Sequence, residues 1–262
     1  MRKITQGLLI ALLASCSNPK SDSATTDQKD TSASEMSTPS TSPIAGNWVS
    51  DQYVENVKKT KSVFQNKIYG TKVLFFSLNE NELQTGSATL HGFTDHEGGS
   101  DVAITFDKEK NEFVKDDSKK TDDPTFKDSF EAKLNSQNKL EMYFPKTKKT
   151  ETYQKLSTDL DTELRKILIA GSYTDKDSKS KIDFSADGKV NFEGYKSYKV
   201  IYDFTTGPGF DGIIFYKSDQ KNTNGDVYQF KIIANTLELQ LMKGNDKNPN
   251  YTPSGKKYIL TK

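Results

Sequence analysis

From Ile169 onward, apolar and polar residues alternate in short runs. Ile182 and Phe184, then Val190 and Phe192, flank Ala186-Asp187-Gly188, where Asp-Gly suits a hairpin turn. Tyr198, Val200, Tyr202 and Phe204 recur at period two, which predicts a strand carrying all four on one face. Gly207-Pro208-Gly209-Phe210-Asp211-Gly212 breaks any ladder and reads as a loop. Ile213 to Tyr216, a turn at Asn222-Thr223-Asn224-Gly225, Tyr228 with Phe230 and Ile232, Leu237 with Leu239 and Leu241, and Tyr258 with Leu260 supply the remaining strands. With the opening Gly171-Ser172-Tyr173 they make about eight. Short connections predict antiparallel neighbours in a meander, and eight such strands can close and remove their own edges.

The same plan occurs once before. Ile44-Ala45-Gly46-Asn47-Trp48 parallels Ile169-Ala170-Gly171-Ser172-Tyr173, and Asn138-Lys139-Leu140-Glu141-Met142 parallels Asn235-Thr236-Leu237-Glu238-Leu239. Each copy ends on a closing strand, Thr152 to Leu156 in one and Lys257 to Leu260 in the other. Opening and closing motifs that recur in the same order indicate an internal duplication. In the first copy Val102, Ile104 and Phe106 alternate, as do Phe130, Ala132 and Leu134, then Leu140, Met142 and Phe144. Ser50 to Val57 predicts a short helix with Ser50 as N-cap, and the densely charged stretch Asp107 to Asp128 predicts a mobile excursion outside the ladder. Leu160, Leu164, Ile167 and Leu168 share a helical face, with Thr158 and Asp161 placed as a capping box. The expected fold is all-β: two tandem, small, eight-stranded antiparallel barrels at 44–156 and 169–262, joined by a helix at 157–168.

The N-terminal segment reads as an address. Arg2 and Lys3 precede the apolar run Gly7 to Leu13, which is too short to span a bilayer. Leu13-Ala14-Ser15-Cys16 resembles the lipobox of bacterial lipoproteins, and Cys16 is the only cysteine in the chain, so no intramolecular disulfide is available. The resemblance implies a signal peptide at 1–15, lipid on the Cys16 sulfur, and membrane attachment through that lipid without a transmembrane helix. It also implies a place in the cell envelope, and Ser17-Asn18 after the cysteine points to the outer membrane. Residues 16–43 are mostly Ser, Thr, Asp and Lys with Pro19, Pro39 and Pro43 and almost nothing apolar, a composition that predicts a disordered tether with a reach of roughly 30 Å.

Gly46-Asn47-Trp48 on the first strand of an eight-stranded meander resembles the lipocalin family and its calycin relatives, with Gly171-Ser172-Tyr173 as a tyrosine-bearing echo. The stretch Trp48 to Ser62 is similar to the start of lipocalin-like lipoproteins of Bacteroidota. Two functions follow as expectations. One is a carrier of an apolar or amphipathic small molecule, with Trp48, Tyr198, Tyr202 and Phe204 as candidate lining residues. The other is an envelope interaction module whose barrels are filled by their own side chains and whose loops recognise a protein or glycan. Core packing is the preferred reading of those four aromatics.

Catalytic chemistry is sparsely signalled. The one thiol is the lipidation candidate, and the chain contains no Gly-x-Ser-x-Gly elbow, His-Glu-x-x-His pair or phosphate-binding glycine loop. The expectation is therefore a protein that is not an enzyme and needs no cofactor. His91 and His96, beside Asp95, Glu97 and Asp101, supply transition-metal donor types, but a polar hairpin loop uses the same residues and is preferred. Asp175 to Lys179 resembles the start of a calcium loop but lacks its sixth-position glycine and twelfth-position carboxylate, so it reads as a solvated turn. With 37 basic against 36 acidic residues, the chain has no electrostatic footprint for nucleic acid.

Overall fold

The computed structural model describes residues 42–67, 73–94, 98–120, 126–204, 207–218, 225–245 and 248–262. The signal segment, Cys16 and nearly all of the tether lie outside the described residues. Sixteen strands form two closed antiparallel barrels in tandem, and within each barrel every strand pairs with its chain neighbours.

The first barrel comprises β1 (Gly46–Ser50), β2 (Phe75–Leu78), β3 (Ser87–Thr94), β4 (Gly98–Asp107), β5 (Glu112–Lys115), β6 (Glu131–Leu134), β7 (Leu140–Phe144) and β8 (Lys149–Leu156). It closes by pairing β1 with β8 in the register Asn47 to Leu156 and Ser50 to Tyr153. The second comprises β9 (Gly171–Asp175), β10 (Lys181–Phe184), β11 (Lys189–Phe192), β12 (Tyr195–Val200), β13 (Gly212–Tyr216), β14 (Asp226–Ile233), β15 (Thr236–Asn245) and β16 (Asn248–Thr261), with β16 returning to β9 at Leu260 to Asp175. Among the described residues closure pairs every strand on both sides, which limits the edge available for edge-to-edge association.

The duplication is visible atom by atom. The two Asn-x-Leu-Glu motifs lie at the start of β7 and β15, the seventh strand of each barrel. At the barrel bases, Trp48 Nε1 donates to the Ile44 carbonyl at 2.7 Å, and the Tyr173 hydroxyl donates to the Ile169 carbonyl at 2.8 Å. A lysine from the end of each closing strand covers the ring. Lys155 Nζ stands 5.7 Å from the Trp48 ring centre and donates to the Pro43 carbonyl, while Lys262 Nζ stands 5.1 Å from Tyr173 and donates to the Ala170 carbonyl. Gly46 and Gly171 both have positive φ, and a Cβ on either would sit within 3.2 Å of that lysine stem. The Gly-x-aromatic motif thus serves the closure: glycine lets the lysine approach, and the aromatic fills the base.

Helix α1 (Asp51–Thr60) begins at Ser50, whose hydroxyl accepts from the Tyr53 amide, as expected of an N-cap. A short helix, α2 (Glu80–Leu83), follows β2. Helix α3 (Leu160–Leu168) joins the barrels and buries Leu160, Leu164 and Leu168. Its N-cap is Asp159, which accepts from the Thr162 amide at 2.7 Å, and not Thr158 as the capping-box spacing suggested. Either side chain could supply the oxygen; the helix starts one residue later and takes the carboxylate.

Two further expectations are corrected. The charged stretch after Asp107 is in part ladder: β5 lies inside it with Phe113 buried, and Phe126 farther on is fully buried, while residues 121–125 lie outside the described residues. A short strand with a single inward phenylalanine among lysines and glutamates carries almost no periodic signal. The strand containing Tyr198 also stops at Val200, so Tyr202 and Phe204 lie beyond β12 rather than on one face with Tyr198.

Candidate functional site

A ligand carrier needs vacant volume lined by side chains, so the interior residues carry the functional question. In the second barrel, Phe184, Phe192, Tyr195, Tyr198, Phe215, Tyr228 and Tyr258 project inward and are nearly or fully buried. Their rings pack against one another. Phe192 lies 4.8 Å from Tyr258, 5.3 Å from Phe215 and 5.9 Å from Tyr228, and Phe184 lies 5.3 Å from Tyr198 and 5.5 Å from Tyr173. Edge-to-face and tilted pairs at such separations are the favourable arrangements of close-packed rings. The first barrel is filled alike by Trp48, Phe76, Phe113, Phe130, Met142, Phe144 and Tyr153. Phe76 meets Tyr153 at 5.0 Å, and Phe130 meets both Phe113 and Phe144 at about 6 Å.

The four candidate lining residues do not form one site. Trp48 is wholly buried in the first barrel, with its N–H satisfied internally. Tyr198 is buried in the second and donates to the Ser185 carbonyl at 2.8 Å, while the guanidinium of Arg165 lies 5.9 Å from its ring. That arginine is itself buried. It donates to the Ala186 carbonyl, to Asp161 at 2.5 Å and to Thr162, and so ties α3 across the turn that ends β10. Asp161 also accepts from the Val200 amide; burial raises its carboxyl above the ordinary range, and Arg165 opposes that rise. Tyr202 and Phe204 are partly buried against the same core, and Phe204 packs edge-to-face on Phe64 of the first-barrel segment at 5.2 Å. Phe204 therefore belongs to the layer between the barrels, and Tyr202 lies beyond the ladder against the same core.

His91 is on β3, not in a loop. It faces Asp101 across the β3–β4 ladder, and its Nδ1 meets the Asp101 carboxylate at 2.8 Å on the exposed surface. Asp95, His96 and Glu97 lie outside the described residues. Among the described residues no group of three or more His, Cys, Asp or Glu side chains is placed to hold a metal ion. Asp175 ends β9 and accepts from the Ser178 hydroxyl and the amides of Asp177 and Ser178, a self-contained turn. Those bonds, led by the Ser178 hydroxyl, hold its carboxyl below the ordinary range. In the hairpin turn ahead of β11, Asp187 is held at about 2, chiefly by hydrogen bonds from Lys189 and Ser185.

Polar chemistry gathers instead at the rim of the second barrel, at the end away from α3. The Tyr195 hydroxyl donates to Asp226 at 2.7 Å and lies 3.4 Å from the Tyr228 hydroxyl. Burial, then the Asp226 carboxylate, pushes the Tyr195 phenol well above its ordinary value; burial with Glu193 does the same for Tyr258. These phenols therefore stay protonated at neutral pH and act as donors, not as bases. Lys217 lies 5.7 Å from the Tyr195 ring and Lys256 lies 4.7 Å from the Tyr258 ring, both with exposed ammonium groups. The tight β11–β12 turn at Glu193-Gly194, where both residues have positive φ, sets this rim. Its only signal in the sequence is a set of tyrosines beside hairpin turns.

The chain matches no protein-family model, no curated protein and no solved structure.

Proposed function

We propose that this protein is a lipid-anchored, non-catalytic interaction module of the cell envelope, with barrels filled by their own side chains and surface loops that recognise a protein or glycan. The observation that carries this reading is the internal satisfaction of the barrel aromatics. The positions a carrier would use for its ligand are buried, Trp48 in the first barrel and Tyr198, Phe192 and Phe215 against one another in the second, and the polar atoms of Trp48 and Tyr198 are bonded to nearby carbonyls. The lipid anchor rests on Leu13-Ala14-Ser15-Cys16 and on the tether composition. Where the chain enters the fold, the Ser42 amide donates to both oxygens of Glu80 at 3.0 Å, so the tether is fastened at the base of the first barrel.

The second-barrel rim is the surface this reading favours for recognition. It sets carboxylates held by buried phenols and exposed lysines on a rigid aromatic base, a mixture suited to a polar or charged partner. The test is a titration of the full detergent-solubilised chain with a fluorescent fatty acid. The expected result is no saturable binding; saturation at a defined stoichiometry per barrel restores the carrier reading.

A further inference from the structure

The described residues hold a second polar arrangement that the proposed function does not use, and it lies between the barrels. Asp211 belongs to the second barrel, immediately before β13. Its Oδ1 accepts from the backbone amides of Val63 and Phe64 at 2.6 and 2.8 Å, and its Oδ2 accepts from the Ser62 hydroxyl at 2.6 Å. Those three residues follow α1 in the first-barrel segment and open a 3₁₀ turn over Phe64–Asn66. Ser62 in turn accepts from the Gln65 amide at 2.9 Å. A carboxylate from one barrel thus caps a helical turn of the other, satisfying amides that the turn leaves without partners of its own.

Apolar packing surrounds this contact. Val49, Tyr53, Val54, Val57, Val63 and Leu74 of the first-barrel segment belong to the same continuous core as α3 and the interior of the second barrel. Trp48 and its neighbour Val49 divide between the two cores, as strand alternation requires: one faces the first barrel's interior, the other the shared layer. The Phe204–Phe64 ring pair stands beside the Asp211 contact.

We propose that Asp211 is a latch that makes the two barrels one cooperative unit, so that neither unfolds or reorients without the other. A flexible connection would keep the two copies as independent beads. A carboxylate bonded to two amides and a hydroxyl of the other barrel instead gives up those three hydrogen bonds whenever the barrels part. This goes beyond the proposed function, because it holds whatever the rim recognises.

The chain carries its own reporters. Trp48 is the only tryptophan and lies in the first barrel, while most tyrosines belong to the second. Thermal unfolding of the full chain should therefore be followed by tryptophan fluorescence and by tyrosine near-ultraviolet dichroism together. The wild type should give one transition, coincident by both probes. Asp211→Ala should lower the midpoint by about 4–8 °C and separate the two traces. Separate wild-type transitions, or an Asp211→Ala chain that melts as the wild type does, would overturn the latch. If Asp211→Ala does not fold, the cycle of Ser62→Ala, Asp211→Asn and the double variant decides. Effects that fall short of additivity support the latch, and additive ones refute it.

Discussion

Truncating Phe192 to alanine tests whether the second barrel is filled. The side chain is 1% exposed and sits among the rings of Phe184, Tyr195, Phe215, Tyr228 and Tyr258. In a close-packed interior, Phe192→Ala loses the transfer free energy of the ring and also leaves a cavity that its neighbours, held in the ladder, only partly close. The two terms together cost about 3–5 kcal/mol. For a folded region of this size that corresponds to a loss of roughly 6–20 °C in melting temperature. Urea unfolding of wild type and variant, with the urea dependence of the free energy checked for equality, measures the loss directly. A second consequence follows: an apolar void enclosed by rings stays dry and admits a small aromatic molecule. Benzene should therefore raise the melting temperature of Phe192→Ala and leave the wild type unmoved. The reasoning fails if the variant loses less than about 1 kcal/mol, because the ring would then border space that already exists. It fails equally if benzene stabilises the wild type.

Three other outcomes are expected. Asp159→Ala removes the N-cap of α3 and should cost about 1 kcal/mol in chemical denaturation, whereas Thr158→Ala should be close to neutral. Tyr173→Phe leaves the Ile169 carbonyl without its donor at the base of the second barrel, and a loss of about 1–2 kcal/mol should appear in the same assay. Burial raises the Asp211 carboxyl above its ordinary 3.8, against the hydrogen bonds it accepts. The folded chain therefore takes up this proton at a higher pH than the unfolded chain. The cost of its charge applies above the raised value and disappears as pH falls through it. The melting temperature of the wild type relative to Asp211→Asn should accordingly rise as pH is lowered from neutral toward 4; a constant difference would show that this group does not titrate differently on folding.

Much of the architecture is legible in the sequence because a half-buried strand writes a period of two. Ile182 with Phe184, Tyr228 with Phe230, and Leu237 with Leu239 sit where that period puts them. The repeated Ile-Ala-Gly-x-aromatic opening corresponds to a repeated closure in space, down to the carbonyl each aromatic donates to. Failures occur where burial and periodicity part company. Strand β5 hides because Phe113 alone marks it among charges. Tyr202 and Phe204 keep the period in sequence after the ladder ends at Val200, but there Ile201 is buried and the two rings are only partly so. The Asp211 contact spans 149 residues to Ser62, and no local pattern announces a carboxylate that caps a distant turn. The rim tyrosines are likewise indistinguishable in sequence from core tyrosines, since only the fold sets their hydroxyls beside Asp226 and Glu193.

If the barrels are filled and recognition falls to the surface, the protein should leave its host with no ligand inside it. Native mass spectrometry of the full chain, extracted from its own host in a mild detergent, tests it most directly. The mass should equal that of the chain with the cleavage and Cys16 lipid proposed above, with nothing further bound. A second, non-covalent lipid or other hydrophobe of defined mass, retained at fixed stoichiometry, would contradict the account and make the protein a carrier.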